Sequence, residues 1–379
     1  MNFEWYPHFV GAIFILLKIF VGVENLNIDI KNDVWTLLQK TDTPLIIYGM
    51  GNGADKILNE FEKLNIKIYG VIASDDFVRG QSFRGFTVKK LSDIENELDD
   101  FIVITAFGTS RSDVINHIVE ISKKHTVLSV DVPVYGDNIF NMEFYNSHYD
   151  EIEKAYNLMA DEQSRKVFKN EICFKLSGNL KYLFDSFSDK DEVFKNIIKL
   201  SDNENYLDLG AYRGDTIQEL LSYTDGHYNS IVALEPDKKT FQKLKTAVEN
   251  MKSVQLFNMG IWSDDCDMMF NASLGRGSSI SSGGNQSLAV TKVDTLYRVR
   301  RLTYMKMDVE GAEYMALKGS VNTLKRDCPK LNIAAYHRSE DIFGLPLMIH
   351  EINPQYNIYL RQHPYIPAWD MNIYAVGKN

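Results

Sequence analysis

Short apolar runs alternate with longer segments of helical spacing along the C-terminal half of the chain. Seven of these runs predict β-strands, and they lie at 206–209, 231–234, 254–258, 304–307, 331–336, 356–360 and 372–376. Helical segments separate most of them, which is typical of a parallel sheet with crossover helices. We therefore predict a doubly wound α/β domain over residues 201–379.

A similar alternation nearer the N-terminus predicts a second, smaller α/β domain over residues 41–140. Its apolar runs are 44–48, 67–73, 101–106 and 126–130. The first run leads into Gly49, Gly51 and Ala54, which fit the G-x-G-x-x-A turn of Rossmann-like domains, and Asp75 follows the second run where a ribose-binding acid is expected. The same pattern fits a degenerate domain that only packs or dimerises, so both interpretations stay open here.

Two further segments have helical spacing without glycine-rich turns. Residues 141–200 predict a helical linker or cap, and residues 1–40 predict an N-terminal helical segment. The latter contains the fifteen-residue apolar stretch Phe9–Val23, which Lys18 interrupts and which is shorter than the roughly 20 residues needed to span a membrane. It also lacks the basic start of a signal peptide. We expect a buried or dimer-forming helix, with peripheral membrane contact as the weaker alternative.

A hairpin is expected between the third and fourth strands of the C-terminal domain. Met268–Asn271 and Leu288–Thr291 flank a Gly/Ser-rich stretch, which includes residues 275–284. This loop either covers the substrate or is a plain solvated connector, and the sequence slightly favours the first.

The composition indicates a soluble globular protein that does not bind nucleic acid. Of the 379 residues, 45% are hydrophobic and 24% are charged, and the formal net charge is -10, whereas nucleic-acid binding requires a basic surface. The cysteines Cys173, Cys266 and Cys328 lie far apart and form no C-x-x-C pair. This pattern suits reduced thiols in the cytoplasm and indicates no zinc site.

The stretch Asn205–Thr216, NYLDLGAYRGDT, joins an apolar strand to a glycine-bearing turn and the start of a helix. Gly210 and Gly214 let the backbone approach a ligand closely, and the helix N-terminus offers free N–H groups. Glu235 closes the next strand, 21 residues after Gly214, where a carboxylate can bind two ribose hydroxyls. These residues predict a nucleoside-containing cofactor, and a glycine turn without a ligand is the alternative.

Tyr212 helps to identify that cofactor. It stands where the middle glycine of the dinucleotide pattern would lie, so a pyrophosphate is less easily seated. S-adenosylmethionine has no pyrophosphate, and its methionine carboxylate and ammonium require N–H donors and an acid such as Asp208. S-adenosylmethionine is therefore the predicted cofactor.

A second motif occupies residues 304–320, YMKMDVEGAEYMALKGS, where an apolar strand ends at Asp308 and a helix follows. At this point the chain resembles the FkbM family of S-adenosylmethionine-dependent methyltransferases. The matched motif positions are Lys306, Asp308, Glu310, Gly311, Glu313, Leu317 and Gly319. The resemblance extends from about 145 to 376, with shorter matches at 161–165, 275–284, 293–296, 336–337 and 359–363. It implies a methyltransferase with a seven-stranded sheet whose last strand runs antiparallel.

The N-terminal domain resembles the nucleotide-sugar-binding domains attached to bacterial sugar-modifying acyltransferases. Together the two resemblances imply O-methylation of a hydroxyl on a sugar or glycan precursor, with a small molecule, a glycan or a nucleotide sugar as the acceptor. The alternative function is a nucleotide-sugar-binding oxidoreductase or sensor that uses Gly49–Ala54. Against this alternative, no Tyr-x-x-x-Lys pair of a short-chain dehydrogenase occurs near the N-terminal domain.

The candidate site residues all follow predicted strands, and ligands of open α/β sheets bind beyond the carboxyl ends of the strands. We assign Asp208, Gly210 and Gly214 to the methionine half of the cofactor, Glu235 to its ribose, Gly260 and Ile261 to the adenine wall, and His337 and Asp308 to acid–base catalysis. Histidine titrates near neutrality, and a neighbouring carboxylate can orient it and raise its basicity.

Three other roles are open for the predicted catalytic residues. His337 could be a hydrogen-bonded histidine at a strand end, and Asp308, Glu310 and Glu313 could cap the helix that follows. Asp308, Glu310 and His337 could also chelate a divalent metal. Because no dedicated metal-ligand spacing is present, we predict that the protein has no metal site.

Overall fold

The computed structural model describes residues 26–271, 279–280 and 286–378. The apolar stretch Phe9–Val23 and most of the Gly/Ser loop at 275–284 lie outside the described residues. Within the described ranges, no helix has both the length and the apolar character needed to cross a membrane.

The N-terminal region contains a six-stranded sheet. Its elements are α1 (Val34–Lys40), β1 (Leu45–Tyr48), α2 (Asn52–Lys63), β2 (Gly70–Ile72), β3 (Ser82–Phe83), β4 (Phe86–Lys89), α3 (Leu91–Glu95), β5 (Ile102–Thr105), α4 (Ser112–Ser122) and β6 (Thr126–Leu128). The strand order is β3-β4-β2-β1-β5-β6, and all pairs are parallel except β3 with β4. The four predicted strands are confirmed, and the pair β3–β4 is an addition to them.

Helices connect this sheet to the C-terminal region, as the helical spacing predicts. They are α5 (Met142–Ser147), α6 (Tyr149–Asn157), α7 (Glu162–Ser177), α8 (Leu180–Phe184) and α9 (Lys190–Glu192), which continues as a π-helical turn over Val193–Ile198. Phe174 and Leu180 from these helices join one hydrophobic cluster with Ile46 and Val103 of the N-terminal sheet and with Ile366. The N-terminal sheet therefore shares part of its core with the rest of the chain. The boundaries at 141 and 201 stay predictions.

The C-terminal region contains the predicted seven-stranded sheet. Its elements are β7 (Asn205–Leu209), α10 (Asp215–Tyr223), β8 (Ser230–Leu234), α11 (Lys238–Ala247), β9 (Val254–Phe257), β10 (Gly260–Ile261), β11 (Cys266–Asn271), β12 (Ser279–Ile280), β13 (Gln286–Thr291), α12 (Val293–Leu296), β14 (Tyr304–Met307), α13 (Glu313–Lys318), α14 (Val321–Asp327), β15 (Lys330–Ala334), α15 (Asp341–Ile352), β16 (Tyr356–Gln362) and β17 (Met371–Gly377). The strand order is β16-β17-β15-β14-β7-β8-β9. The last strand, β17, runs antiparallel to both β15 and β16, as expected.

The central strands form because both of their faces are apolar and buried. Leu207 and Leu209 of β7 enter the larger hydrophobic cluster on one face, whereas Tyr206 faces the cluster on the other. This alternation follows the two-residue period of a strand. The register aligns Asp208 with Lys306 of β14, so the carboxyl ends of the central strands meet at one edge of the sheet.

A four-stranded sheet of order β10-β13-β11-β12 stands beside the main one. Its antiparallel pairing of β11 with β13 places Met268 opposite Leu288, which confirms the predicted hairpin. The role of its loop remains a prediction.

Two segments that are far apart in the sequence meet through Arg361 of β16. The Arg361 Nη2 atom donates to Asp161 Oδ2 at 2.7 Å, and Nη1 donates to Ser164 Oγ at 2.7 Å. Ser164 Oγ also accepts a hydrogen bond from the Leu360 backbone N–H at 3.0 Å. The short matches at 161–165 and 359–363 are therefore two parts of one contact that fixes α7 on the sheet.

Candidate active site

A cavity of about 550 Å³ opens at the carboxyl ends of the central strands. This size is typical of small-molecule sites. Its walls come from the segments that follow β7, β8, β14 and β15, from β10 and β17, and from Ser110 of the N-terminal region. Gly210, Glu235, Gly260, Ile261 and Asp308 line it, whereas Asp208, Gly214 and His337 do not.

Gly210 and Gly214 both have left-handed backbones, but they serve different contacts. Gly210 has φ +81°, and a Cβ atom there would stand 1.9 Å from the Asp308 carbonyl oxygen. Gly214 has φ +86° and precedes α10, and a Cβ atom there would stand 3.3 Å from Leu244 Cδ1 on α11. Gly210 therefore brings the β7 and β14 loops together at the cavity, and Gly214 sets the packing of α10 on α11.

Asp208 is fully buried just behind the cavity wall. Its Oδ2 atom accepts a hydrogen bond from Thr216 Oγ1 at 2.5 Å, and Thr216 lines the cavity. Within the described ranges, the other oxygen, Oδ1, has no hydrogen-bond partner. Burial raises the pKa of the Asp208 carboxyl to about 7. A buried carboxylate oxygen of this kind is suited to a cationic partner such as an ammonium group.

Two backbone N–H groups hold the Glu235 carboxylate. Its Oε2 accepts the Tyr212 N–H at 3.0 Å, and its Oε1 accepts the Asp237 N–H at 2.8 Å. Burial raises the pKa of Glu235 to about 7, although these two N–H groups act in the opposite direction. Each carboxylate oxygen keeps further acceptor capacity. The two oxygens can therefore accept hydrogen bonds from a pair of adjacent hydroxyls in the cavity.

Gly260 and Ile261 form a short buried strand on the cavity wall. They pair with Val290 and Thr291 of β13, and Met259 lines the cavity next to them. These groups make an apolar surface that a flat heterocycle can contact. Their assignment to the adenine remains a prediction.

The turn Asp308–Gly311 carries two carboxylates into the cavity. Asp308 and Glu310 both line it. Glu310 has φ +53°, which is uncommon for a residue with a side chain and costs on the order of 1–3 kcal/mol. A Cβ atom on Gly311 would stand 2.8 Å from the Tyr135 side chain, so only glycine fits there.

His337 lies directly behind these carboxylates and is fully buried. Its Nδ1 lies 2.9 Å from Glu313 Oε1, and its Nε2 lies 3.4 Å from Asp308 Oδ1 and 3.7 Å from Glu310 Oε2. Burial alone would lower the pKa of His337, but the carboxylates of Glu313, Asp308 and Glu310 raise it to about 10.

The sequence suggests that His337 titrates near neutrality, but the surrounding carboxylates raise its pKa well above that range. A protonated imidazole cannot accept a proton from an acceptor hydroxyl. Since Asp308 lines the cavity and His337 does not, Asp308 is the better placed of the two to contact an acceptor. The catalytic roles of both residues stay predictions.

One part of the wall was not foreseen from the sequence. Tyr365, Trp369 and Asp370, from the segment between β16 and β17, line the cavity together with Ser110 and Lys190. The Thr109 N–H donates to the Ile366 carbonyl at 2.8 Å, and the Ile366 N–H donates back at 2.9 Å. The loop after β5 therefore supports this wall. The aromatic and acidic residues of 365–370 are the only local signal that could have indicated it.

The N-terminal glycine turn is built partly for packing. A Cβ atom on Gly53 would stand 2.6 Å from the Ala106 carbonyl oxygen, and one on Gly49 would stand 3.0 Å from Phe107 Cδ1. Gly51, in contrast, has open space where its Cβ would be. Nucleotide binding at this turn stays a prediction.

Two sequence families match the chain. Residues 208–367 match the methyltransferase FkbM domain, and residues 41–127 match the N-terminal domain described as C2185-like. None of the curated proteins matches the chain significantly.

Among solved structures, the methyltransferase FkbM from Methylobacillus flagellatus KT is similar over 98% of this chain and 100% of its own, with a TM-score of 0.72 and 19% identity. Aeropyrum pernix fibrillarin, solved with natively bound S-adenosyl-L-methionine, matches 48% of this chain and 72% of its own, with a TM-score of 0.31 and 16% identity. An rRNA methylase from Streptococcus thermophilus matches 48% of this chain and 90% of its own, with a TM-score of 0.31 and 12% identity. The full-length match shows the shared fold, and within that fold residues 208–367 match the methyltransferase FkbM domain.

Proposed function

We propose that this protein is an S-adenosylmethionine-dependent O-methyltransferase that acts on a hydroxyl of a sugar or glycan precursor. The observation that carries the proposal is Glu235. Two backbone N–H groups fix its carboxylate at the end of β8, in the same cavity as Asp308. One end of the cavity can thus hold a ribose while another presents an acid to the acceptor.

The residues present fit S-adenosylmethionine. Asp208 offers a buried carboxylate oxygen without a hydrogen-bond partner among the described residues, next to Thr216 on the wall. Glu235 would hold the ribose diol, and Gly260 and Ile261 would contact the adenine. When bound, this cofactor supplies a methyl group on a sulfonium, which is already a strong electrophile.

The remaining task of the protein is to place the acceptor oxygen in line with the methyl group and to take its proton. Asp308 lines the cavity, and His337 lies behind it with Nε2 at an ion-pair distance of 3.4 Å from Asp308 Oδ1. We assign the contact with the acceptor hydroxyl to Asp308 and a positioning role to His337.

The wall formed by Tyr365 and Trp369 supports the carbohydrate assignment. A sugar ring has an apolar face of C–H groups and a rim of hydroxyls, so it packs against aromatic rings and binds carboxylates and amides at its edge. Asp370 and Asn372 line the cavity together with these rings and supply such groups. Ser110 of the N-terminal region also contributes to this wall.

Calorimetry with S-adenosylhomocysteine and, separately, with NAD⁺ tests the cofactor assignment. We expect binding of S-adenosylhomocysteine only, and binding of NAD⁺ alone would favour the oxidoreductase alternative. For the acceptor, the protein is incubated with labelled S-adenosylmethionine and a panel of nucleotide sugars and glycans. Mass spectrometry should find an added O-methyl group. Methylation of nitrogen in this panel, or methylation of RNA in a parallel incubation, would contradict the proposal.

A further inference from the structure

The wall behind Asp308 contains a compact set of metal-ligating side chains. Asp308, Glu313 and His337 each offer one ligand atom, and these atoms all lie within 4.8 Å of one another. Glu313 lies at the start of α13, and His337 follows β15, so the turn after β14 and the end of β15 bring them together. We infer that Asp308, Glu313 and His337 form a binding site for a divalent cation of the Mg²⁺ or Mn²⁺ class.

The hydrogen bonding of these residues is incomplete in a way that points to a ligand. His337 and Glu313 are almost wholly buried, with 0% and 1% of their surface exposed. Both ring nitrogens of His337 and the Glu313 Oε2 atom have no hydrogen-bond partner in the described part of the chain. His337 Nδ1 does lie within ion-pair distance of Glu313 Oε1, at 2.9 Å. Buried polar atoms normally have partners, and a cation coordinated by these atoms would supply one.

The charge around the site is strongly negative. Glu310 Oε2 lies 3.7 Å from His337 Nε2, and the buried Asp341 faces the cluster from α15, where it accepts the Arg338 backbone N–H at 2.8 Å. On the positive side, Lys306 Nζ lies 3.8 Å from Asp308 Oδ2. A divalent cation would neutralise this excess of carboxylates, and it would displace the proton that they hold on His337, because only a neutral imidazole can coordinate a metal.

The donor atoms select the kind of cation. Carboxylate oxygens form most of the set, with one imidazole nitrogen and no thiolate. Such a set suits Mg²⁺ or Mn²⁺ better than soft metals.

The site borders the cavity, so a bound cation could contact the acceptor. This part of the inference rests on the proposed function. Glu313 and His337 are buried, but Asp308 reaches the cavity with 35% of its side chain exposed. A cation held here would present its remaining coordination positions to the cavity. It would orient an acceptor hydroxyl there and lower the pKa of that hydroxyl.

The test uses full-length protein freed of metal with a chelator and titrated with Mn²⁺, followed by electron paramagnetic resonance and calorimetry. We expect one Mn²⁺ to bind per chain, and Asp308→Asn and His337→Gln to weaken binding by at least about 100-fold. Glu171→Gln is the matched control, because Glu171 is an equally buried carboxylate on α7 outside this set. It should bind Mn²⁺ like the wild type.

Thermal melting of each variant shows whether it folds. If His337→Gln does not fold, Asp308→Asn decides, because Asp308 is partly exposed. Wild-type protein that leaves Mn²⁺ unbound, or a folded Asp308→Asn variant with undiminished affinity, would overturn the inference.

Binding of S-adenosylhomocysteine to the metal-free protein is measured in parallel, so that the two proposals can fail separately. A protein that binds S-adenosylhomocysteine but no Mn²⁺ keeps the proposed function and loses the metal site. One that binds Mn²⁺ but no S-adenosylhomocysteine keeps the site and loses the proposed function.

Discussion

At the scale of single residues, the two acids of the nucleoside-binding motif differ in what they contact. Asp208 is buried behind the wall and holds Thr216, whereas Glu235 is on the wall and held by backbone N–H groups. Their sequence spacing predicts that both lie near the cofactor, and both lie at the same edge of the sheet. The spacing does not reveal which of them reaches the cavity, because that depends on side-chain direction and on packing by Thr216.

Glu235→Gln should weaken binding of S-adenosylhomocysteine by about 10- to 100-fold. The amide keeps the shape of the side chain but replaces one charged acceptor oxygen with a donor, and hydrogen bonds to charged groups contribute about 1.5–3 kcal/mol. Calorimetry measures the change, with Glu162→Gln on the exposed face of α7 as the control. Equal affinities in Glu235→Gln and wild type would show that Glu235 does not bind the ribose.

Gly210→Ala should destabilise the protein more than Gly214→Ala. Both positions have positive φ, so each variant bears a backbone strain of roughly 1 kcal/mol. Only at position 210 would the new Cβ meet a backbone atom, the Asp308 carbonyl oxygen at 1.9 Å, whereas at 214 it meets a flexible leucine methyl at 3.3 Å. Thermal melts of the two variants compare them directly. A smaller loss for Gly210→Ala would mean that the β7 and β14 loops can separate at no cost.

At the scale of elements, the sequence predicts strands better than it predicts what lies between them. The central strands β7, β8, β14 and β15 are apolar runs buried on both faces, so their pattern is local, whereas β9 at the edge of the sheet is only partly buried. The contact of Arg361 with Asp161 joins segments 200 residues apart, and only the resemblance to a known family suggested that both mattered. The sequence suggests one carboxylate beside His337, which would raise its pKa. It does not reveal that three carboxylates, all from the segment after β14, surround the ring and raise its pKa to about 10.

Helix α7 carries a buried charge cluster that makes stability depend on pH. Lys175 Nζ lies 2.6 Å from Asp131 Oδ2, which follows β6, and 3.7 Å from Glu171 Oε1. Burial raises the pKa of Glu171 to about 7 from its ordinary value near 4.5, against the effect of Lys175. The folded state therefore binds the Glu171 proton more tightly than the unfolded state does, and stability falls as pH rises between these two values.

Glu171→Gln should accordingly raise the free energy of unfolding at pH 8, by on the order of 1–3 kcal/mol, and change it little at pH 5. The amide cannot ionise, so it avoids the cost of burying a second charge beside Asp131. Urea denaturation at the two pH values measures the effect. A variant that loses stability at pH 8 would show that the ionised Glu171 is needed by Lys175.

At the scale of the whole molecule, residues from the N-terminal and the C-terminal regions line one cavity. The central strands of the C-terminal sheet supply Glu235 and Asp308, whereas the loop after β5 supplies Ser110 and supports Tyr365 and Trp369. Sequence patterns predict each sheet separately. They cannot predict the contact between the loop after β5 and the segment between β16 and β17, because neither pattern shows which loop of one sheet lies against the other.

Gly108→Ala should raise the KM for the acceptor by roughly 10- to 100-fold and leave the affinity for S-adenosylhomocysteine unchanged. A Cβ atom there would stand 2.8 Å from the Trp369 ring and 3.0 Å from the Tyr365 hydroxyl, so both side chains must move. Gly344→Ala on α15 is the control, since its Cβ would enter open space. Steady-state kinetics with the acceptor identified by mass spectrometry, combined with calorimetry, separates the two effects. A parallel loss of cofactor affinity would show that this wall is not confined to the acceptor.

The reciprocal backbone pair between Thr109 and Ile366 has a consequence for how selectivity can change over time. It is made by main-chain atoms, so it tolerates replacement of either side chain. The loop after β5 can therefore accept substitutions and still dock in the same place, while the residues beside the pair change the shape of this wall. Under the proposed function, such substitutions would alter acceptor selectivity, whereas the residues assigned to the methyl donor belong to the other sheet and would stay the same.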